Sequence, residues 1–189
     1  MRRVYLIRHG LTEGNRLRRY IGRTDEPLCA AGRAALSAAP LKGIETVYVS
    51  PLLRARETSA ILFPHARQIV VDGLREMDFG AFENRSADDM KNDAAYRAWV
   101  DGLCEGDCPG GENRRGFVAR TVRAFENICA AGGDAPLVIV AHGGTVMALM
   151  SELGEPKKDY WAWHVGAGGC LRCALDGGRL LYEGDGFDA

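Results

Sequence analysis

Four short apolar runs in this chain each lead into residues able to do chemistry. Residues 4–7 run into Arg8-His9-Gly10 and 47–49 into Ser50-Pro51-Leu52-Leu53-Arg54. Residues 69–71 run into Leu74-Arg75-Glu76 and 137–141 into His142-Gly143-Gly144. Singly, each has an ordinary explanation: a structural or solvated histidine, an arginine on a surface helix, a glutamate paired with a neighbour. Together they suit the movement of a compact dianion. Phosphoryl transfer is mostly positioning plus electrostatic stabilisation. Without a metal, arginine fits best, because its planar fork matches phosphate oxygens and stays charged. Arg8 and Arg54 are the candidates.

A neutral imidazole can act as nucleophile. Arg8, Arg54 and a nearby His142 would disfavour protonated His9 and keep its attacking nitrogen free. A departing alkoxide needs a proton, and Glu76 is the candidate donor. Neighbouring arginines would lower its pKa, whereas burial and a bound phosphate would raise it, so the acid role requires the second influence to win. Gly10 would let backbone pass close to the phosphate. The amides after His142, beginning at Gly143, open a helix and could face an anion.

These residues need a scaffold that brings them together. The apolar runs read as buried central strands. Helix-like stretches lie at 30–39, 52–63, 87–100, 113–131 and 145–153. Strand alternating with helix predicts a three-layer α/β/α sandwich with a mostly parallel central sheet. Ligands bind such sheets at the carboxyl ends of the strands, where all four motifs fall. One domain over residues 1–189 is expected. Residues 79–112, acidic and aromatic and closed by the Gly106–Gly111 loop, read either as a small helical cap insertion over the substrate or as a surface helix with a long loop.

Bulk properties narrow the partners. The 189 residues carry 24 Lys+Arg against 25 Asp+Glu, a formal net charge of −1, so no overall field favours nucleic acid or an anionic membrane. No stretch is apolar enough to span a bilayer. The amino-terminal run is too short for a signal-peptide core and predicts a cytoplasmic protein. Of the six cysteines, Cys104 and Cys108 form one close pair and Cys170 and Cys173 another. A zinc site is one reading of them, but the long separation and a strand-like setting for the second pair favour buried free thiols. His65 and His164 have no evident partners and read as structural.

The segment from Leu6 to Asn15, LIRHGLTEGN, closely resembles the R-H-G-x-T-x-x-N signature of the histidine phosphatase, or phosphoglycerate mutase-like, superfamily. The resemblance continues in family order through Tyr20-Ile21-Gly22-Arg23-Thr24-Asp25, Ser50–Ala55 with Thr58, Leu74–Gly80 with Glu83, Pro109–Glu112 and Ala141–Gly144. It implies a phosphoglycerate mutase-like fold and a phosphohistidine on His9. It implies that Arg8, Arg54 and His142 hold phosphate, that Glu76 donates the proton, and that Asn15 and Gly22 contact substrate. It implies no metal and no cofactor, a small phosphorylated metabolite as partner, and is compatible with a homodimer. Many relatives have Gly at Asn84, Ser at Asn113 and an acidic residue at Leu11. The compact length resembles the small phosphatase branch more than the longer cofactor-dependent phosphoglycerate mutases. The blocks at 77–80 and 109–112 resemble α-ribazole phosphatases. A mutase, or a non-catalytic module that binds a phospho-ligand, is the competing expectation.

Overall fold

A computed structural model describes residues 1–187, so the last two positions of the expected domain lie outside the described residues. Seven strands form one sheet in the order β3-β2-β4-β1-β6-β7-β5. These are β1 (Arg2–Arg8), β2 (Thr46–Val49), β3 (Arg67–Val70), β4 (Leu137–Ala141), β5 (Gly154–Glu155), β6 (Cys170–Asp176) and β7 (Arg179–Asp185). The β1–β4, β2–β4 and β2–β3 pairs are parallel, while β6 runs antiparallel to β1 and to β7.

The period-two alternation of side chains explains the three layers. On β1, Val4 and Leu6 point to one face and Tyr5 and Ile7 to the other; β4 divides in the same way. Helices α5 (Arg114–Ala130) and α6 (Gly143–Leu153) cover the first face, and α3 (Leu53–Leu62) covers the second. Residues 4–7 of β1 and all of β4 are therefore buried and apolar, as strands covered on both faces must be. The short helices α1 (Glu13–Arg16) and α2 (Ala30–Ala34) lie in the connection from β1 to β2.

Register brings the functional segments side by side. Arg8 pairs with Ala141 and Val49 with Val140. The ladder extends one step further: His9 N–H donates to Ala141 O at 2.9 Å and Ser50 N–H to Val140 O at 3.1 Å. His9, Ser50 and His142 thus leave adjacent strands at one edge.

Several boundaries differ from expectation. The helix expected over 87–100 begins only with α4 (Ala94–Asp101). Ser86 and Asp89 bond each other's backbone and side chains in a turn, and Asp93 then caps Ala95 and Tyr96. These local acceptors compete with helix upstream. Helix α2 stops at Ala34, and Ala39 N–H turns instead to Leu62 O at 2.8 Å. The β6–β7 hairpin turns on Gly177 and Gly178, both at positive φ (52° and 80°), the conformation that a two-residue hairpin turn demands. Cys170 and Cys173 do lie on a strand, three positions apart, and so face opposite sides of the sheet. Their thiols cannot converge on one ion. Within 79–112, Phe82, Met90, Tyr96, Trp99 and Cys108 form a small core of their own against Phe117 of α5 and Ala148 of α6.

Leu6 is fully buried in the layer between β1 and α6. Leu6→Ala should cost about 3 kcal/mol of stability, read as a lower denaturant midpoint at unchanged slope.

Candidate active site

His9 is buried (4% exposed) and oriented by its own backbone neighbour. Its Nδ1 lies 2.7 Å from Gly10 O. A carbonyl only accepts, so Nδ1 carries the proton and Nε2 presents a lone pair. Arg54 Nε–H donates to that Nε2 at 3.3 Å. Burial, then the Arg54 charge, push the imidazole from its ordinary range down to about 3. The ring is neutral, with its unprotonated nitrogen facing an arginine.

Arg54, on the first turn of α3, is wholly buried. Its Nη1–H donates to Thr24 O at 2.7 Å, and its Nη2–H to Gly22 O at 2.8 Å and Ile21 O at 3.3 Å. Three backbone carbonyls thus engage the Nη groups, and the Nε edge meets His9. The carbonyls are held in place from behind. Glu83 accepts from the N–H groups of Gly22, Arg23, Thr24 and Phe79 and from the Thr24 hydroxyl at 2.6 Å. Gly22, expected at the substrate, is thus placed behind Arg54, its N–H on Glu83 and its O on Arg54. A Cβ there would lie 1.8 Å from Met77 O, which is why no side chain fits.

Glu76 follows the turn after β3 on a segment without regular structure. Its Oε2 accepts from Gly144 N–H at 2.9 Å, and its Oε1 from Met77 N–H at 3.0 Å. A Cβ on Gly144 would come within 2.3 Å of Glu76 Oε1, so the carboxyl reaches the start of α6 only because residue 144 is glycine. Burial raises its pKa, outweighing the two amides and the charges of Arg54 and Arg8. Tyr160 also faces it, and its phenol is driven up by burial and by Glu76. The competition left open by the sequence is won by burial even without substrate.

Arg8 Nη1–H donates to Val165 O at 2.7 Å and lies 3.4 Å from His164 Nε2. Its Nε is buried without a partner among the described residues. Gly143 lies against that edge: a Cβ there would make ordinary contact with Arg8 Nε at 3.4 Å. His142 bonds Ser50 Oγ through Nε2 at 2.7 Å, while its buried Nδ1 has no partner among the described residues. Its ring centroid is 5.1 Å from that of His9. Burial, then Arg54, hold His142 well below its ordinary range. Gly10 serves packing rather than a ligand: its N–H bonds Thr58 Oγ1 at 2.9 Å, and a Cβ would crowd Leu36 and Leu28.

Arg8, His9, Asn15, Glu76, Gly143 and Gly144 line a cavity of about 290 Å³, and the fully buried Arg54 and His142 adjoin His9. Asn15 Oδ1 accepts from Thr12 N–H within the cap of α1. The other walls combine the aromatic 79–112 segment, for which a cap was one of two readings, with residues that the sequence did not single out. Phe79 and Trp99 come from the 79–112 segment, Met147 from α6, Tyr160 and Trp161 from the turn after β5. Arg114 lies over the Tyr160 and Trp161 rings at 5.0 and 5.6 Å and pairs with Glu105 at 2.9 Å. His164, read as structural, stands at this cavity beside Arg8. These residues are scattered in sequence and carry no motif; the aromatic texture of 79–112 was the one available signal. A larger hollow of about 850 Å³ between α5 and α6 contains neither histidine nor Glu76 and is an open surface groove.

The departures at 84 and 113 keep the local physics. Asn84 has φ 58°, a left-handed conformation that glycine adopts freely and asparagine tolerates. Asn113 caps α5 through Gly116 N–H at 2.8 Å, as a serine can.

Comparison with known proteins places the chain in a family. A family model described as histidine phosphatase superfamily (branch 1) matches residues 4–183. A protein assigned as phosphoglycerate mutase GpmB in Serratia proteamaculans is 35% identical over 166 residues, 82% of this chain and 77% of its own length. A protein assigned as phosphoserine phosphatase 2 in Hydrogenobacter thermophilus is 31% identical over 96% of this chain and 95% of its own. Among solved structures, the α-ribazole phosphatase of Shigella flexneri superposes with a TM-score of 0.83 at 24% identity, over 96% of this chain and 94% of its own, a likeness of fold. A phosphoglycerate mutase from Thermus thermophilus gives 0.74 at 31% identity over 99% of each chain. The chain belongs to the histidine phosphatase superfamily, and its α/β sheet is that family's fold.

Proposed function

We propose that the protein is a phosphomonoesterase working through a phosphohistidine on His9. The observation that carries this reading is the pairing of a buried, neutral His9, its Nε2 unprotonated, with a carboxyl whose pKa burial raises, at one arginine-lined cavity. Two titratable groups whose pKa values are driven in opposite directions suit a nucleophile and an acid.

In the first step His9 Nε2 attacks phosphorus, the P–O bond to the alcohol breaks, and Glu76 gives its proton to the departing oxygen. In the second, water attacks phosphorus, Glu76 takes a proton from it, and the P–N bond breaks to release phosphate and neutral His9. Arg8, through its unpartnered Nε, and Arg54, through Nε, hold the equatorial oxygens; His142 Nδ1 and the Gly143 amide complete the cradle. Asn15 reaches the phosphate or the group beyond it. Residues 79–112 form the cap that carries Phe79 and Trp99 over the leaving group.

The leaving-group end favours a flat, largely uncharged ring. Phe79, Trp99, Met147, Tyr160 and Trp161 surround it, and the charge of Arg114 is already answered by Glu105. Trp161 is 54% exposed yet held by Tyr160 and Arg114, a stacking surface at the mouth. An α-ribazole 5'-phosphate fits this description better than phosphoglycerate or phosphoserine, whose second anionic group needs a free cation. The mutase reading draws support from Arg19, a cavity arginine that donates to the Asn84 amide oxygen at 3.2 Å. Transfer of phosphate from a bisphosphate primer to glycerate, faster than release to water, would establish it instead.

His9→Ala should abolish hydrolysis of an aryl phosphate and the acid-labile phosphoprotein trapped on quenching, while wild-type activity survives a chelator. Retained activity in the variant would remove the phosphohistidine. Glu76→Gln should slow alkyl phosphates by about 100-fold or more and aryl phosphates much less, because a good leaving group needs little protonation. In the wild type kcat/KM should fall as pH rises through the elevated Glu76 pKa, with no loss from His9 until about pH 3. The alkaline fall should vanish in Glu76→Gln. Trp161→Ala should lower kcat/KM for benzyl phosphate by about fivefold, the scale of a lost aromatic contact, and leave propyl phosphate unchanged; equal losses would remove the ring preference.

A further inference from the structure

Glu76 stands on residues 75–79, a stretch without helix or strand between the turn after β3 and the turn at Gly80–Phe82. No ladder holds its backbone, yet proton donation needs the carboxyl placed to within fractions of an ångström. What holds it is Arg120 of α5. Nη1–H groups of Arg120 donate to Gly73 O at 3.0 Å and Arg75 O at 3.1 Å, and Nη2–H to Glu76 O at 3.3 Å. The remaining donors, Nε–H and the other Nη2–H, meet Glu112 Oε1 at 2.9 Å and Oε2 at 2.8 Å. The guanidinium is saturated, and it lies over the Phe117 ring at 5.2 Å.

Glu112 extends the same hold. Its Oε2 also accepts from Asp78 N–H at 3.0 Å, and its own N–H donates to Asp78 O at 2.8 Å. Carbonyls before and at Glu76 and the backbone just after it are thus tied through one ion pair to the 17-residue helix α5. Gly73 brings the helix close, since a Cβ there would meet the Ala124 methyl at 2.6 Å. Neither Arg120 nor Glu112 lines the cavity.

We infer that Arg120, locked by Glu112, is the positioning residue for the proton donor, setting where the Glu76 carboxyl stands relative to the leaving oxygen. The inference rests on the acid role assigned to Glu76. Lysine keeps the charge but has no planar fork and fewer donors, so it cannot serve three carbonyls and a carboxylate together.

The test is steady-state kinetics on a series of alkyl and aryl phosphates with wild type, Arg120→Lys, Glu76→Gln and the double variant. Arg120→Lys should lower kcat for alkyl phosphates by about tenfold or more, a part of the general-acid contribution. KM should stay within about twofold, and aryl phosphates should be nearly unaffected. The double variant should be no slower on alkyl phosphates than Glu76→Gln alone, to within about twofold, because one function cannot be lost twice. A loss in Arg120→Lys that is uniform across leaving groups, or one that adds fully to that of Glu76→Gln, overturns the inference. A flat leaving-group dependence in Glu76→Gln itself is a different signature: it removes the acid, and the positioning role with it. If Arg120→Lys does not melt cooperatively, Glu112→Gln, isosteric but uncharged, should reproduce the alkyl-selective loss, and failure to do so also overturns the inference.

Discussion

The site depends on a guanidinium placed out of reach of water. Arg54 is fully buried, and a buried charge is tolerated only when its donors are met and opposite charge lies near. Both conditions come from the chain around it. The carbonyls of Ile21, Gly22 and Thr24 meet its Nη groups, and the charges of Glu76, Glu26, Asp25 and Glu83 lie close enough to favour it. Glu83, by gathering the N–H groups of residues 22–24, turns their carbonyls toward the arginine. Removing any layer leaves a buried charge short of partners.

That one cation shapes the protonation of everything it faces. It presses both histidines toward neutrality, and burial works in the same direction. At Glu76 burial and the arginines oppose each other, and burial wins. Burial in this one pocket therefore moves the imidazole pKa down and the carboxyl pKa up. The bases differ only in whether charge is gained or lost on protonation, so one environment produces both shifts.

The surroundings divide into a rigid side and an adaptable side. Arg8, His9, His142 and Gly143 come from adjacent strand ends and the helix start after β4, fixed by the sheet register. Glu76 and the aromatic walls come from irregular connections, which need side-chain ties such as the Arg120–Glu112 pair to α5. Variation on the irregular side can then occur without disturbing His9. Loops of this kind carry specificity on scaffolds that carry chemistry.

Local pattern was enough for the central strands, because a strand buried on both faces must be apolar throughout, and 4–7, 47–49 and 137–141 all fall within observed strands. It was enough for α3, α5 and α6 to within two residues, and for the convergence of His9, Glu76, Arg8, Arg54 and His142, because parallel strands deliver their carboxyl ends to one edge. It does not contain the late start of α4, where side-chain acceptors of Ser86, Asp89 and Asp93 outcompete the helix, or the pairing of β6 with β7 across the Gly177-Gly178 turn. What no local pattern contains is the division of labour inside the site. Whether Gly22 meets substrate or backs Arg54, whether His164 is idle or beside Arg8, and whether burial or arginine sets the charge of Glu76 depend on distances between segments far apart in the chain. Sequence named the residues because their types and strand ends are local properties. Only the tertiary structure decided their protonation and their partners, because burial and Coulomb forces act through space.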